Sequence, residues 1–116
     1  MPEIEVRIGQ LLEVGDPAHP YTRVVCRLND EPDATTTTFE GWNVQRGQDG
    51  EWELYGFSGT GRPEDVTRWL PERLTLKQLE TALDRHTDFG RHPQLRRPLM
   101  ERFEAQYDKV SLVETP

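Results

Sequence analysis

Two tryptophans, Trp42 and Trp52, flank the run Arg46-Gly47-Gln48-Asp49-Gly50, and this arrangement constrains the fold more than any other stretch. A short loop with glycine on both sides of an aspartate signals a hairpin. Residues 36–45 lead into it with β-branched and aromatic side chains, and residues 51–57 lead out. Successive strand side chains point to opposite faces. Parity therefore puts Trp42 and Val44 on one face of the incoming strand, matched by Trp52 and Leu54 on the outgoing one. The opposite parity collects Phe39, Gly41 and Asn43, then Glu51, Glu53, Tyr55 and Phe57. One face is apolar throughout. The other is mixed, yet it holds three aromatic rings.

The rest of the first half follows the same two-residue period. Ile4, Val6 and Ile8 alternate with Glu5, Arg7 and Gly9, and Leu11, Leu12 and Val14 extend the strand past a bulge or bend at Gly9. Residues 15–20 hold two prolines and a glycine and form a loop. Val24, Cys26 and Leu28 then share one face of a second strand, with Arg23, Val25 and Arg27 on the other. Residues 29–34 make another polar loop, and the four threonines 35–38 suit a strand edge.

The second half switches to helical spacing. Pro63-Glu64-Asp65 suits a helix first turn, with Val66, Trp69 and Leu70 as its apolar stripe and Pro71 as its end. Thr75 and Gln78 fit a capping box ahead of Leu76, Leu79, Ala82 and Leu83, which fall on one helical face. Residues 86–90 close that helix, with Gly90 as a left-handed cap. Pro98 starts a last helix that carries Leu99, Phe103, Tyr107 and Val110. Strands followed by helices is the α+β pattern. The expectation is a single α+β domain over residues 1–116, mainly strands over 1–58 and mainly helices over 63–110. About four antiparallel strands are covered on one face by two or three helices.

Charge is shared unevenly. Residues 1–60 hold eleven acids and four bases, which is the whole net charge of −7, whereas residues 61–116 hold ten of each. Within that second half Arg85, Arg91, Arg96, Arg97 and Arg102 face only Asp88 and Glu101, a locally basic corner. An acidic chain lacks the basic footprint of direct nucleic-acid binders, so no such binding is expected. No apolar run approaches the ~18 residues needed to span a bilayer. The lone Cys26 excludes an internal disulfide and a cysteine-based zinc site, and a cytoplasmic location is expected.

Chemistry-bearing motifs are sparse. Residues 56–63 form a glycine-rich connection in which Ser58, Thr60 and Arg62 resemble a phosphate cradle, but no P-loop lysine follows and Glu64 and Asp65 oppose an anion. A tight turn explains it better. His86, Asp88 and His92, with Asp84 nearby, are the densest metal-capable set, yet the two histidines are not at the helical i,i+4 spacing. Cys26, in parity with Val24 and Leu28, has the setting of a buried thiol rather than a nucleophile. Neither serine lies in an elbow motif, and Glu51 with Glu53 reads as solvated strand acids. No cofactor, metal or catalytic set is expected.

The expected function is a small non-enzymatic interaction module that binds a protein, its own copy in a homodimer among the options, through the hairpin sheet. Phe39, Tyr55 and Phe57 form the interface core, and Glu51 and Glu53 its rim. The competing expectation is that a loop or the end of the chain folds over these rings. One alternative function is an enzyme or binding domain for an anionic, phosphate-type small molecule at Arg85, Arg91, His92, Arg96 and Arg97. The other is an acidic inhibitor that mimics nucleic acid and captures a basic partner.

Overall fold

The computed structural model describes residues 3–28, 39–56, 60–61 and 65–114. The chain is α+β: a five-stranded antiparallel sheet with three helices packed on it. It begins with β1 (Glu3–Val6) and, after a turn, β2 (Gln10–Val14). β3 (Tyr21–Leu28) returns along β2, with Leu11 opposite Val24 and Leu12 opposite Arg23. β4 (Phe39–Arg46) follows on β3 with Val24 opposite Trp42, and β5 (Trp52–Gly56) completes the hairpin with Leu54 opposite Val44. The two-residue β6 (Thr60–Gly61) pairs with the Phe39 end of β4. β7 (Val66–Arg73) then lines the far side of β2, giving the order β5-β4-β3-β2-β7.

Three helices come next: α1 (Leu76–Asp84), α2 (Thr87–Arg91) and α3 (Pro93–Gln106). α1 starts at the capping box seen in the sequence. The Gln78 N–H donates to Thr75 Oγ1 at 3.1 Å, and the Thr75 N–H donates to Gln78 Oε1 at 2.8 Å. Its Leu79, Ala82 and Leu83 are buried. The Trp42 ring stacks on Phe89 of α2 at 5.9 Å and meets Phe103 of α3 edge-on at 5.8 Å. The helices therefore cover the Trp42 face, the one whose parity is apolar. The last strand, β8 (Ser111–Glu114), pairs with β1 as a separate two-stranded ribbon.

Several expectations are corrected. The segment Val66–Arg73 is a strand, not a helix, which is why the sheet has five strands instead of four. Its pairing with β2 is irregular, so that Leu12 sits opposite Trp69 while Gln10 sits opposite Arg73. That irregularity disturbs strict alternation and leaves neighbours Trp69 and Leu70 both half-buried, imitating a helical stripe. Pro71 is tolerated because β7 is an edge strand, where a missing N–H need not break a ladder. The first strand does not run on through Gly9 either: β1 joins the ribbon and β2 joins the main sheet. Gly90 is not a left-handed cap. It lies inside α2, where the absence of a side chain lets it approach the Asp84 carbonyl closely. The last helix starts at Pro93, which occupies its first turn, and carries Pro98 inside. Residues 29–38, together with Phe57, Ser58, Gly59, Arg62, Pro63 and Glu64, lie outside the described residues.

The larger surprise is burial. Leu11 and Leu12 are both fully buried, as are Val24 and Val25, although adjacent strand residues point to opposite faces. Both faces of β2 and β3 are therefore covered. On the face away from the helices, the Phe39 and Trp69 rings lie 5.9 Å apart. In a flat sheet β4 and β7 would be three strand spacings apart, about 14 Å. The rings meet only because the sheet curls, with this face concave around Leu12 and Val25.

The curl is pinned at Gly9. Its N–H donates to the Val25 carbonyl and its own carbonyl accepts from the Leu74 N–H, both at 2.8 Å. Gly9 has φ +91°, and a Cβ there would lie well inside van der Waals contact distance of the Leu74 carbonyl oxygen. Gly9→Ala should cost roughly 2–5 kcal/mol, combining backbone strain with a clash against the main chain. Gly50 is also left-handed, at φ +83°, but has open space around it. Gly50→Ala should cost only the strain, about 1–2 kcal/mol. Urea midpoints of the two variants provide the comparison, and equal losses would refute the close approach at Leu74.

Candidate functional site

The expected interface residues are separated by the structure. Phe39 keeps its predicted parity but is only 3% exposed, packed on Trp69, so it offers no ring to a partner. This corrects its place in an exposed cluster: the concave curl brings a strand from the other side of the sheet over it. Phe57 lies outside the described residues. Tyr55 remains 43% exposed. It sits where the β4–β5 register shifts, between the Val44–Leu54 and Asn43–Gly56 pairs. A residue at such an irregularity is re-aimed relative to its strand.

A second exposed tyrosine lies on β3. Tyr21, 57% exposed, and Arg23 lie two apart on β3, and Arg23 pairs with Asn43 across the strands. The Arg23 Nε–H donates to Asn43 Oδ1 at 2.9 Å. Gly41, without a side chain, leaves the Arg23 stem room to lie alongside it. The guanidinium is thus held in place, with one tyrosine two residues before it on its own strand. Half-buried Trp69 and Val66 continue the same face on β7 through their pairing with Leu12 and Val14. The sequence signal was the two-residue spacing of Tyr21 and Arg23, which was hidden because Tyr21 follows the proline of the 15–20 loop.

The hairpin acids serve a different purpose. Arg85, at the C-terminal cap of α1, grips both carboxylate oxygens of Asp49, with Nη1 to Oδ1 at 2.9 Å, and reaches Glu53 Oε2 at 3.5 Å. Glu53 also accepts from Gln45 at 3.5 Å, while Glu51 is exposed and its N–H donates to Asp49 Oδ1 at 3.1 Å. The Arg85 hydrogen bond, followed by the Glu51 N–H, holds the Asp49 carboxyl down at about 2.

Arg85 is consequently spent on the hairpin, and Arg96 is paired with Asp84. Arg91 and His92 are exposed. A shallow groove of about 400 Å³ lies at Glu80, Pro93, Gln94, Arg96, Arg97 and Met100. It brings together Arg96 and Arg97 but none of Arg85, Arg91 and His92, and Glu80 adds a negative charge. Two of the five arginines of the basic corner, Arg85 and Arg96, are thus paired with acids from the hairpin and from α1. Among the described residues no three His, Cys, Asp or Glu side chains converge as a metal site would need. His86 packs its ring 4.9 Å from Phe89.

Cys26 is fully buried and donates to the Glu40 carbonyl at 3.3 Å. Burial, then the Glu40 charge, pushes its thiol up to about 12, with Arg102 and Arg27 pulling weakly the other way. A thiolate nucleophile needs the opposite setting. No described helix is long and apolar enough to cross a membrane. In comparisons with known proteins the chain matches no family model, no curated protein and no solved structure.

The Asp49 pair has a definite pH signature. Because its folded value lies below the ordinary 3.8, its contribution to stability is complete above that value and is lost as pH falls toward about 2. Arg85→Gln should return the Asp49 titration, followed by carboxyl carbon NMR, toward 3.8 and move acid unfolding to higher pH. An unmoved Asp49 titration would rule out Arg85 as the cause.

Proposed function

We propose that this chain is a small non-catalytic protein-binding module whose contact surface includes the accessible Tyr21–Arg23–Asn43 part of the sheet face turned away from the helices. The observation that carries this reading is exposed Tyr21 on the face that also holds Arg23 bonded to Asn43, with a second exposed tyrosine, Tyr55, on β5. Tyrosine and arginine are the residue types that concentrate binding energy at interfaces. A guanidinium already fixed by Asn43 loses little freedom on binding. The buried, neutral Cys26 and the paired Arg85 and Arg96 take support away from the catalytic alternatives.

The first partner to test is a second copy, since one face can dimerise on itself about a two-fold axis. The double variant Tyr21→Ser/Tyr55→Ser should weaken self-association at least about a hundredfold, with far-UV circular dichroism unchanged. Sedimentation of wild type and variant gives the answer. A wild type that stays monomeric, with a variant altered only in thermal stability, overturns homodimerisation through this face.

One observation favours the anionic-ligand alternative, namely the groove that Arg96 and Arg97 share. A ligand at a hundredfold excess over its Kd stabilises by about 2.7 kcal/mol. Thermal melts with inorganic phosphate, nucleotides and divalent metals should show no shift. A phosphate-induced rise in Tm that Arg97→Ala abolishes would put the anion reading ahead.

A further inference from the structure

With the sheet face as the contact surface, as proposed above, we infer that its Tyr21–Arg23 patch binds an extended segment of another protein, one that carries a carboxylate side chain two residues from an aromatic one. Arg23 is the arginine of the main sheet whose terminal nitrogens are left without a task. Arg27, Arg46 and Arg68 pair with Glu40, Glu72 and Glu13, and Arg73 donates to the Ile8 and Tyr107 carbonyls. Arg23 donates only through Nε, to Asn43 Oδ1, and no carboxylate among the described residues pairs with it. The fork of Nη1 and Nη2 is therefore unengaged, while Asn43 and the close approach of Gly41 to the stem hold the side chain. Tyr21 is steadied as well. Its ring lies beside Gly15, whose carbonyl accepts from Thr67 Oγ1 at 2.6 Å. Pairing with Val14 and Leu12 in regular register keeps Tyr21 and Arg23 on one face, about 7 Å apart along β3.

The free fork selects the anion. A carboxylate accepts two parallel N–H bonds from the end of a guanidinium, which fixes orientation as well as supplying energy. One cation suits one negative charge: a phosphate dianion would exceed the single Arg23 charge within a chain already at −7. The ring is called for by exposed Tyr21, which has half-buried Val66 in the same row through Val14. Aromatic rings pack on one another offset or edge-on. An extended chain repeats its side chains on one face every second residue, the spacing that separates Tyr21 from Arg23. A partner strand lying on the sheet can thus set its ring on Tyr21 and its carboxylate on Arg23 at once. A second copy docked about a two-fold axis through the patch would set Arg23 against Arg23 instead, so the acid comes from a different protein.

The test titrates the isotope-labelled full chain by NMR with a short, end-capped synthetic peptide containing tyrosine-threonine-glutamate. Shifts should centre on the amides of Tyr21, Thr22 and Arg23 and on the Arg23 Nε–H, and binding should weaken as salt rises. Replacing the peptide's glutamate by glutamine should raise Kd at least tenfold, the loss typical of a hydrogen-bonded charge. Arg23→Gln should raise the Kd of the glutamate peptide equally and leave that of the glutamine peptide unchanged, since both changes remove one interaction. Asn43→Asp keeps the shape of the brace but gives Arg23 an internal carboxylate. It should weaken binding similarly, and it serves if Arg23→Gln misfolds. A glutamine peptide that binds at Tyr21 as tightly as the glutamate one would overturn the carboxylate assignment and leave the sheet-face reading standing. Tighter binding of a peptide with phosphoserine in place of glutamate would overturn it too. So would the absence of β3 shifts with every peptide up to millimolar concentration, and sedimentation of the Tyr21→Ser/Tyr55→Ser variant then judges the sheet face separately.

Discussion

Everything in this molecule meets at the backbone contact between Gly9 and Leu74. There the chain leaves the ribbon, enters the main sheet and passes within hydrogen-bonding distance of both β3 and the end of β7. The same point gathers α3. The Tyr107 hydroxyl donates to the Leu74 carbonyl at 2.9 Å, and the Arg73 guanidinium lies 3.9 Å from the centre of the Tyr107 ring while its Nε donates to the Ile8 carbonyl. Three segments far apart in sequence are held by main-chain groups that water would otherwise satisfy. Such groups must be paired when buried, so the crossing tolerates little displacement. An L side chain at position 9 would have to separate them.

From that crossing follow the curl of the sheet and its two-sided burial. A chain of this length has limited apolar surface, and covering both faces of β2 and β3 uses it more fully than an open sheet with one dry face. Helices supply one cover through Phe89 and Phe103. The other comes from the sheet itself, by folding Trp69 toward Phe39. An edge where β2 has diverged from β3 is closed by Gln106 of α3. Its side-chain amide accepts from the Leu28 N–H at 3.1 Å and donates to the Leu28 carbonyl at 3.2 Å, doing what a neighbouring strand would have done.

How much of this was legible depends on the range of the interactions involved. The hairpin parity, the Thr75 capping box and the apolar stripe of α1 are local patterns, and the structure follows them. β7 was misread because a register irregularity, set by its long-range partner β2, disturbed its period in a segment too short to arbitrate. Phe39 was assigned the right face but the wrong burial, since exposure depends on sheet curvature and curvature is not written in alternation. The arginine corner looked basic because charge was counted along the chain. In space Asp49 and Glu53 arrive from the hairpin and take Arg85. Tyr21 and Arg23 were visible as a two-residue spacing and went unused because a proline-rich loop precedes them. β8 was too short and too polar at its ends to announce itself.

The ribbon of β1 and β8 has a mechanical side. Its register runs from Glu3 opposite Glu114 to Val6 opposite Ser111, so the outer ends of both strands lie together. Tension applied at those two ends would peel the strands apart one hydrogen bond at a time instead of shearing them all at once. The ribbon would yield first and at low force. Load would then reach the Gly9 crossing, where several bonds share it in parallel. Pulled at those two points, the ribbon thus opens first at its Glu3–Glu114 end and last where Val6 joins the core.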